Sequence, residues 1–201
     1  MTAPLEVLFD RHVRGKYPRG WADIQGPEAL ERLGLTSEQV TLMVFVRDAM
    51  NGALANAKMV QDHVVTGPYH FDYIDSDQQS AYAFTGGDHS FIGLTTGMAQ
   101  WVFGAGERLR SSLPVWEFVG LTPGQTDANH FQFLLVYLAM AFIVSHEYCH
   151  HVLGHQPDAI PQGDARTASL RGNLQSHTRE IAADGYAAMH QYDFVVHSDF
   201  R

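Results

Sequence analysis

Three side chains with the means for hydrolytic chemistry stand together in His146-Glu147-Tyr148-Cys149-His150, a stretch of the form HExxH. A helix advances about 100° per residue, so His146 and His150 sit about 40° apart in azimuth and one turn apart along the axis. Both imidazoles therefore reach one ion. Glu147 lies about 100° round from His146, where its carboxylate can take a proton from water without having to ligate. Paired imidazoles with a glutamate base are the zinc-and-water arrangement of a metal-dependent hydrolase.

A catalytic zinc site normally has three protein ligands and one open position, so a further ligand is required. His151 and His155 fall about 140° and 180° round the same helix from His146 and cannot converge on that ion. The longer pattern HExxHxxGxxH is absent, because positions 153 and 156 hold Leu153 and Gln156. Downstream, Glu180-Ile181-Ala182-Ala183-Asp184 sets two carboxylates one turn apart on one face of a helix that Ser176 can cap. Glu180 is the candidate third ligand to one Zn2+. Asp184 is the candidate acceptor of the spare ring N–H of His146, which fixes the tautomer that leaves the other nitrogen free. Cys149, also inside the motif, reads as a packed, inert thiol.

These groups need a rigid carrier. Phe133 to Val144 is wholly apolar, and Phe131 to Leu153 contains neither Pro nor Gly. The pattern predicts a buried helix from about Ala128 to Leu153, ended by Gly154 in a left-handed cap and by Pro157. The apolar stretch Phe131 to Val144 is shorter than the roughly 20 residues that cross a bilayer, so no membrane span is expected. Thr36-Ser37-Glu38-Gln39 fits a capping box, and Val40, Met43, Val46, Met50, Ala53, Ala57 and Val60 recur at helical spacing, which predicts a scaffold helix over 36–62. Residues 1–35 read as an irregular, solvated arm whose Arg11, Arg14, Lys16 and Arg19 suit a basic lid or docking segment. Ala81 to Phe84 and Ser90 to Thr95 read as a hairpin turned by Thr85-Gly86-Gly87-Asp88-His89. Val115 to Val119 reads as a short apolar element packing near the site.

The segments HEYCHHVLGH and REIAADGYAA together resemble the gluzincin metallopeptidases, with their HExxH and later ExxxD helix. Within that class, SAYAFTGG and FIGLTTGM over residues 80–98 are similar to the strand, turn and helix entry of the HtpX-like and CAAX-prenyl-protease group. The likeness spans Ser80 to Gln191. A weaker resemblance is to the phage-exclusion Lit type of peptidase. The resemblance implies an α+β, zincin-like fold, mostly helical, with a small mixed sheet whose edge strand flanks the active-site helix. It implies that Ser90 to Thr95 is that edge, so Phe91, Ile92, Gly93 and Leu94 are the candidate substrate-binding residues, pairing with an extended peptide.

Length and composition predict one domain, with residues 80–201 as its catalytic core. A formal charge of -9 opposes nucleic-acid binding and favours a neutral or basic polypeptide as partner. One cysteine and a polar N-terminus point to the cytoplasm. The expected activity is a zinc-dependent endopeptidase with Glu147 as base, against the alternative of a catalytically silent peptide-binding protein. Tyr186, His190, Tyr192 and His197 are four equivalent candidates for a donor to the oxyanion.

Overall fold

A computed structural model of the chain describes residues 4–26, 28–56, 68–86, 88–118, 120–124, 126–154 and 177–189. The fold is α+β and mostly helical, in the order α1 (Leu5–Val13), α2 (Ala29–Leu33), α3 (Ser37–Asn56), β1 (Tyr69–Ile74), β2 (Ala81–Gly86), β3 (His89–Thr95), α4 (Thr96–Arg110), α5 (Leu113–Phe118) and α6 (Ala128–Val152). A further helix, α7, covers 177–189. Gly87, Ser176, His155, Pro157, His190, Tyr192 and His197 lie outside the described residues, as does the expected continuation of the scaffold helix over 57–62.

The mixed sheet has the order β1-β3-β2, with β1 parallel and β2 antiparallel to β3. The predicted hairpin is therefore β2–β3. Strand β1 went unread in the sequence, although its Tyr-His-Phe-Asp-Tyr-Ile run alternates two faces in the manner of a strand. Phe71, Tyr73, Ile92 and Leu94 point into the main core with α3, α4 and α6. Ile74, Phe91, Tyr82 and Phe84 point to the other side, against Phe9, Val13 and Tyr17. This second cluster corrects the reading of residues 1–35 as a solvated arm. Phe9 and Val13 stand one helical turn apart, so the apolar edge of α1 seals the far face of the sheet while its cations face water.

Helix α3 opens with the predicted capping box: the Gln39 N–H donates to Thr36 Oγ1 at 3.2 Å, and the Thr36 N–H donates to Gln39 Oε1 at 2.9 Å. Further along α3, Asn51 closes the outer edge of β1. Its Nδ2 donates to the Phe71 carbonyl at 2.9 Å, and its Oδ1 accepts from the Phe71 N–H at 2.8 Å. The Ala22 N–H donates to the Tyr73 carbonyl at 3.0 Å, so this edge is spent at Phe71 and Tyr73.

Helix α6 begins where Asp127 accepts from the N–H groups of Asn129 and His130, and ends at Gly154 with φ of 63°. It is long and apolar enough to cross a membrane by length and composition. Here Val136, Met140, Val144 and Tyr148 form a buried stripe over the sheet. Gly106 of α4 lets the two helices approach closely, since a Cβ there would lie 2.6 Å from Val136 Cγ2. The short apolar element near residue 115 is α5. Its Trp116 packs at a tilt on Phe131 with centroids 4.0 Å apart, at the opposite end of α6 from the HExxH motif and about 22 Å from it.

Candidate functional site

The last two turns of α6 carry His146, Glu147 and His150, whose ligand atoms lie within 4.8 Å of one another, so that this group could hold a metal ion. Helix α7 brings Glu180 and Asp184 against them. It sits low because its inner face consists of Ala183 and Ala187, both fully buried. His146 Nδ1 is 3.0 Å from Asp184 Oδ1, and its Nε2 is 3.1 Å from His150 Nε2 and 3.2 Å from Glu180 Oε2. His150 Nε2 is 3.8 Å from Glu180 Oε1.

These distances test the donor set. With the Nδ1 proton given to Asp184, Nε2 of His146 presents a lone pair, and it faces a carboxylate oxygen and a second imidazole nitrogen. Lone pairs converging in this way need a cation among them or a proton on the ring. A tetrahedron with metal–ligand bonds of about 2.05 Å has edges of about 3.3 Å. Two of the three observed separations match that edge and the third exceeds it by about half an ångström. The residues fit a small divalent cation held by His146, His150 and Glu180. Glu147 belongs to the tight acid–imidazole group too, but its carboxylate is engaged elsewhere, which favours Glu180 as the third ligand.

Glu147 is 9 % exposed and accepts a hydrogen bond from the backbone N–H of Ala83 in β2. Burial pushes its carboxyl up to about 7, against the opposing pull of His146 and of that N–H. The contact locates the open edge of the sheet. The Thr95 N–H donates to the Ser80 carbonyl, so by antiparallel alternation Tyr82 and Phe84 bond inward to β3 while Ala81, Ala83 and Thr85 direct their backbone groups outward. Among the described residues no strand pairs with that outer side.

The expected substrate-binding role of Phe91, Ile92, Gly93 and Leu94 is thereby corrected. β3 is the middle strand and its ladders are filled on both sides. Ile92 and Leu94 are fully buried in the main core, and Phe91 in the cluster under α1. Gly93 backs onto Ile74, which a Cβ would meet at 2.5 Å. The strand beside the active helix is β2, whose small Ala81 and Ala83 on the α6 side let Glu147 reach the backbone.

Two contributors were not legible as such. His151, excluded as a ligand by its azimuth, donates from Nε2 to the Phe91 carbonyl at 2.9 Å and so pins the end of α6 to the sheet. Burial lowers its pKa, which keeps the ring neutral in this role. Ala83 acts through its N–H alone, and no side-chain pattern announces a backbone donor. Cys149 is fully buried with its thiol pushed up to about 11 by burial, which makes it a poor nucleophile, in line with the packed thiol read from the sequence. Of the four candidate oxyanion donors only Tyr186 is described. Its ring packs 6.2 Å from that of Tyr148, and burial raises its pKa, so its hydroxyl stays protonated.

No family model, curated protein or solved structure matches this chain.

Proposed function

We infer that the chain is a zinc-dependent endopeptidase of zincin-like, gluzincin type, acting on a polypeptide in the cytoplasm. The observation that carries this reading is the position of Glu147, a buried carboxyl between a candidate metal cluster and the open edge of a strand. A base that must take a proton and then return it works best with a pKa near the operating pH. In the metal-free chain burial pushes Glu147 up to about 7, and the charge of a bound cation would draw it down from there toward the ordinary carboxylate range. In this reading an extended peptide pairs with the outward groups of Ala81 and Thr85 and with the carbonyl of Ala83, whose N–H is held by Glu147, and this lays its backbone past the carboxylate. Glu147 takes a proton from the attacking water and passes it to the leaving amine nitrogen. A zinc ion held by His146, His150 and Glu180 supplies Lewis-acid polarisation of the scissile carbonyl. Asp184 orients His146, and His151 holds the helix end that carries all three motif residues.

The deciding experiment is digestion of a mixed peptide library, read by mass spectrometry, with zinc-loaded chain, chelator-treated chain and Glu147→Gln. The expected result is cleavage that chelator abolishes and zinc restores, and that falls at least about a hundredfold in Glu147→Gln. Stoichiometric zinc with no peptide cut would replace this reading with that of a silent peptide-binding protein.

A further inference from the structure

A peptide paired on β2 alternates its side chains between two faces. Those on the α6 side meet the HExxH cluster. Those on the other side meet Tyr82, Phe84 and the C-terminal part of α1 with the turn that follows it, and this second face carries unmet hydrogen-bonding capacity. Lys16 is exposed, and its Nζ lies 4.5 Å from the centroid of the Tyr82 ring and 5.6 Å from that of Tyr17. It has no carboxylate partner among the described residues, although neighbouring Arg14 is paired with Asp10 and Arg19 with Asp75 and Asp77. Tyr17 and Tyr82 stack with centroids 5.5 Å apart. The hydroxyls of both rings are buried without a hydrogen-bond partner. Tyr17 as a whole is 2 % exposed.

Two stacked phenol rings with an ammonium over them thus lie on this face of β2, and none of the three donors has an acceptor among the described residues. Buried hydroxyls without partners are costly, and a carboxylate is the acceptor that suits an ammonium and two phenols together. Burial raises the pKa of Tyr82, which keeps that hydroxyl a donor. A strand added to β2 runs about 4.8 Å away, so its side chain opposite Tyr82 falls next to this group. The Lys16 ammonium lies over the Tyr82 ring on an exposed, flexible stem that can swing aside to admit it.

We propose that Lys16, Tyr17 and Tyr82 form a carboxylate subsite that selects peptides with Asp or Glu where the side chain points away from the metal cluster. The proposal rests on β2 as the receiving strand, and it reverses locally the preference for basic partners that the net charge of -9 suggests. Alternation puts the acidic residue on the face opposite the Glu147 and Glu180 carboxylates, so the selected charge does not oppose them.

The test uses three fluorescein-labelled decapeptides in which Val alternates with Glu, Gln or Lys, and reads binding to the zinc-loaded full chain by anisotropy. The Glu peptide is expected to bind about three- to fivefold more tightly than the Gln peptide at low salt, the scale of one exposed ion pair with added hydrogen bonds. Raising the salt to 0.5 M, where the Debye length is about 4 Å, should shrink that ratio. Lys16→Gln should bring it to about one, and the double variant Tyr17→Phe, Tyr82→Phe, which keeps both rings, should lower it without loss of thermal stability. Equal binding of the Glu and Gln peptides to the parent chain, or an unchanged ratio in Lys16→Gln, overturns the proposal. Because binding is read independently of cleavage, a chain that prefers the Glu peptide yet cuts nothing refutes the peptidase and leaves the subsite standing. Cleavage without acid preference does the reverse.

Discussion

Replacing each carboxylate near the histidines separates ligand, support and base through zinc affinity alone. Structural zinc sites with four ligands bind with about 10–16 kcal/mol, or roughly 2.5–4 kcal/mol per ligand. Glu180→Ala should therefore weaken zinc binding by about 10²- to 10³-fold. Asp184 sits 3.0 Å from His146 Nδ1, on the side of the ring away from the other ligand atoms. Asp184→Asn still presents an oxygen there but loses the charge that makes the imidazole more basic, a change that costs about 10- to 100-fold. Glu147→Gln should cost least, because that side chain is turned to the Ala83 N–H. The assay is competition for zinc against a chromogenic chelator at fixed pH, with circular dichroism to verify the fold of each variant. Glu180 is not a ligand if Glu180→Ala binds zinc as the parent does. If Glu147→Gln is the worst of the three, Glu147 is itself the ligand and cannot serve as base.

Ala83→Pro removes the donor to Glu147 from a strand edge that tolerates proline, since this N–H points away from β3. A hydrogen bond to a charged acceptor is worth about 1.5–3 kcal/mol, so peptide hydrolysis should fall about 10- to 100-fold while zinc affinity holds; unchanged kcat/KM would remove β2 from the site. Asn51→Ala leaves the Phe71 N–H and carbonyl without their partner, at about 3 kcal/mol, and calorimetry should find Tm lower by about 6–12 °C; a fall under 2 °C would mean water replaces the amide freely. In zinc-free protein Glu147 has a folded pKa of about 7 against an ordinary value of 4.5. The folded state thus holds a proton that the unfolded state releases, and stability falls as pH rises from about 4.5 to about 7. Glu147→Gln should accordingly stabilise the metal-free chain by up to about 3 kcal/mol above pH 7 and by little at pH 4, as read from urea melts; an equal gain at both pH values would refute the buried, protonated carboxyl.

The parts of the fold that were legible are those in which one local pattern fixes one structure. The unbroken apolar run Phe133 to Val144 with Gly154 after it marked α6, and the reciprocal Thr36 and Gln39 bonds marked the start of α3. Helical periodicity puts His146 with His150, and Glu180 with Asp184, because azimuth within one helix is set locally; that the two pairs meet is a matter of how the helices pack, which the spacing within each does not determine. Strand order is different in kind. Nothing within Ser90 to Thr95 says whether one neighbour or two will pair with it, and β1, which makes it central, lies more than a dozen residues upstream. Residues 1–26 misled for a similar reason: the cations Arg11, Arg14, Lys16 and Arg19 are more conspicuous than Phe9, Val13 and Tyr17, which share a face only once the helix and the turn after it are formed.

The contact between Glu147 and Ala83 ties the fold to the chemistry in one place. For the carboxyl to be pushed up to about 7 it must be stripped of water, and α6 must therefore lie low over β2. That approach is possible because Ala81 and Ala83 are the α6-facing residues of the first half of β2, while the bulk of the strand, Tyr82 and Phe84, is turned to α1. The helix is kept there by Val144, Tyr148 and Val152 in the core and by the bond from His151 to the Phe91 carbonyl. Exchanging the two faces of β2 by a one-residue slip would place Tyr82 beneath α6, lift the helix and return Glu147 to solvent. The register of a short hairpin thus sets the acidity of the group on which the proposed reaction depends.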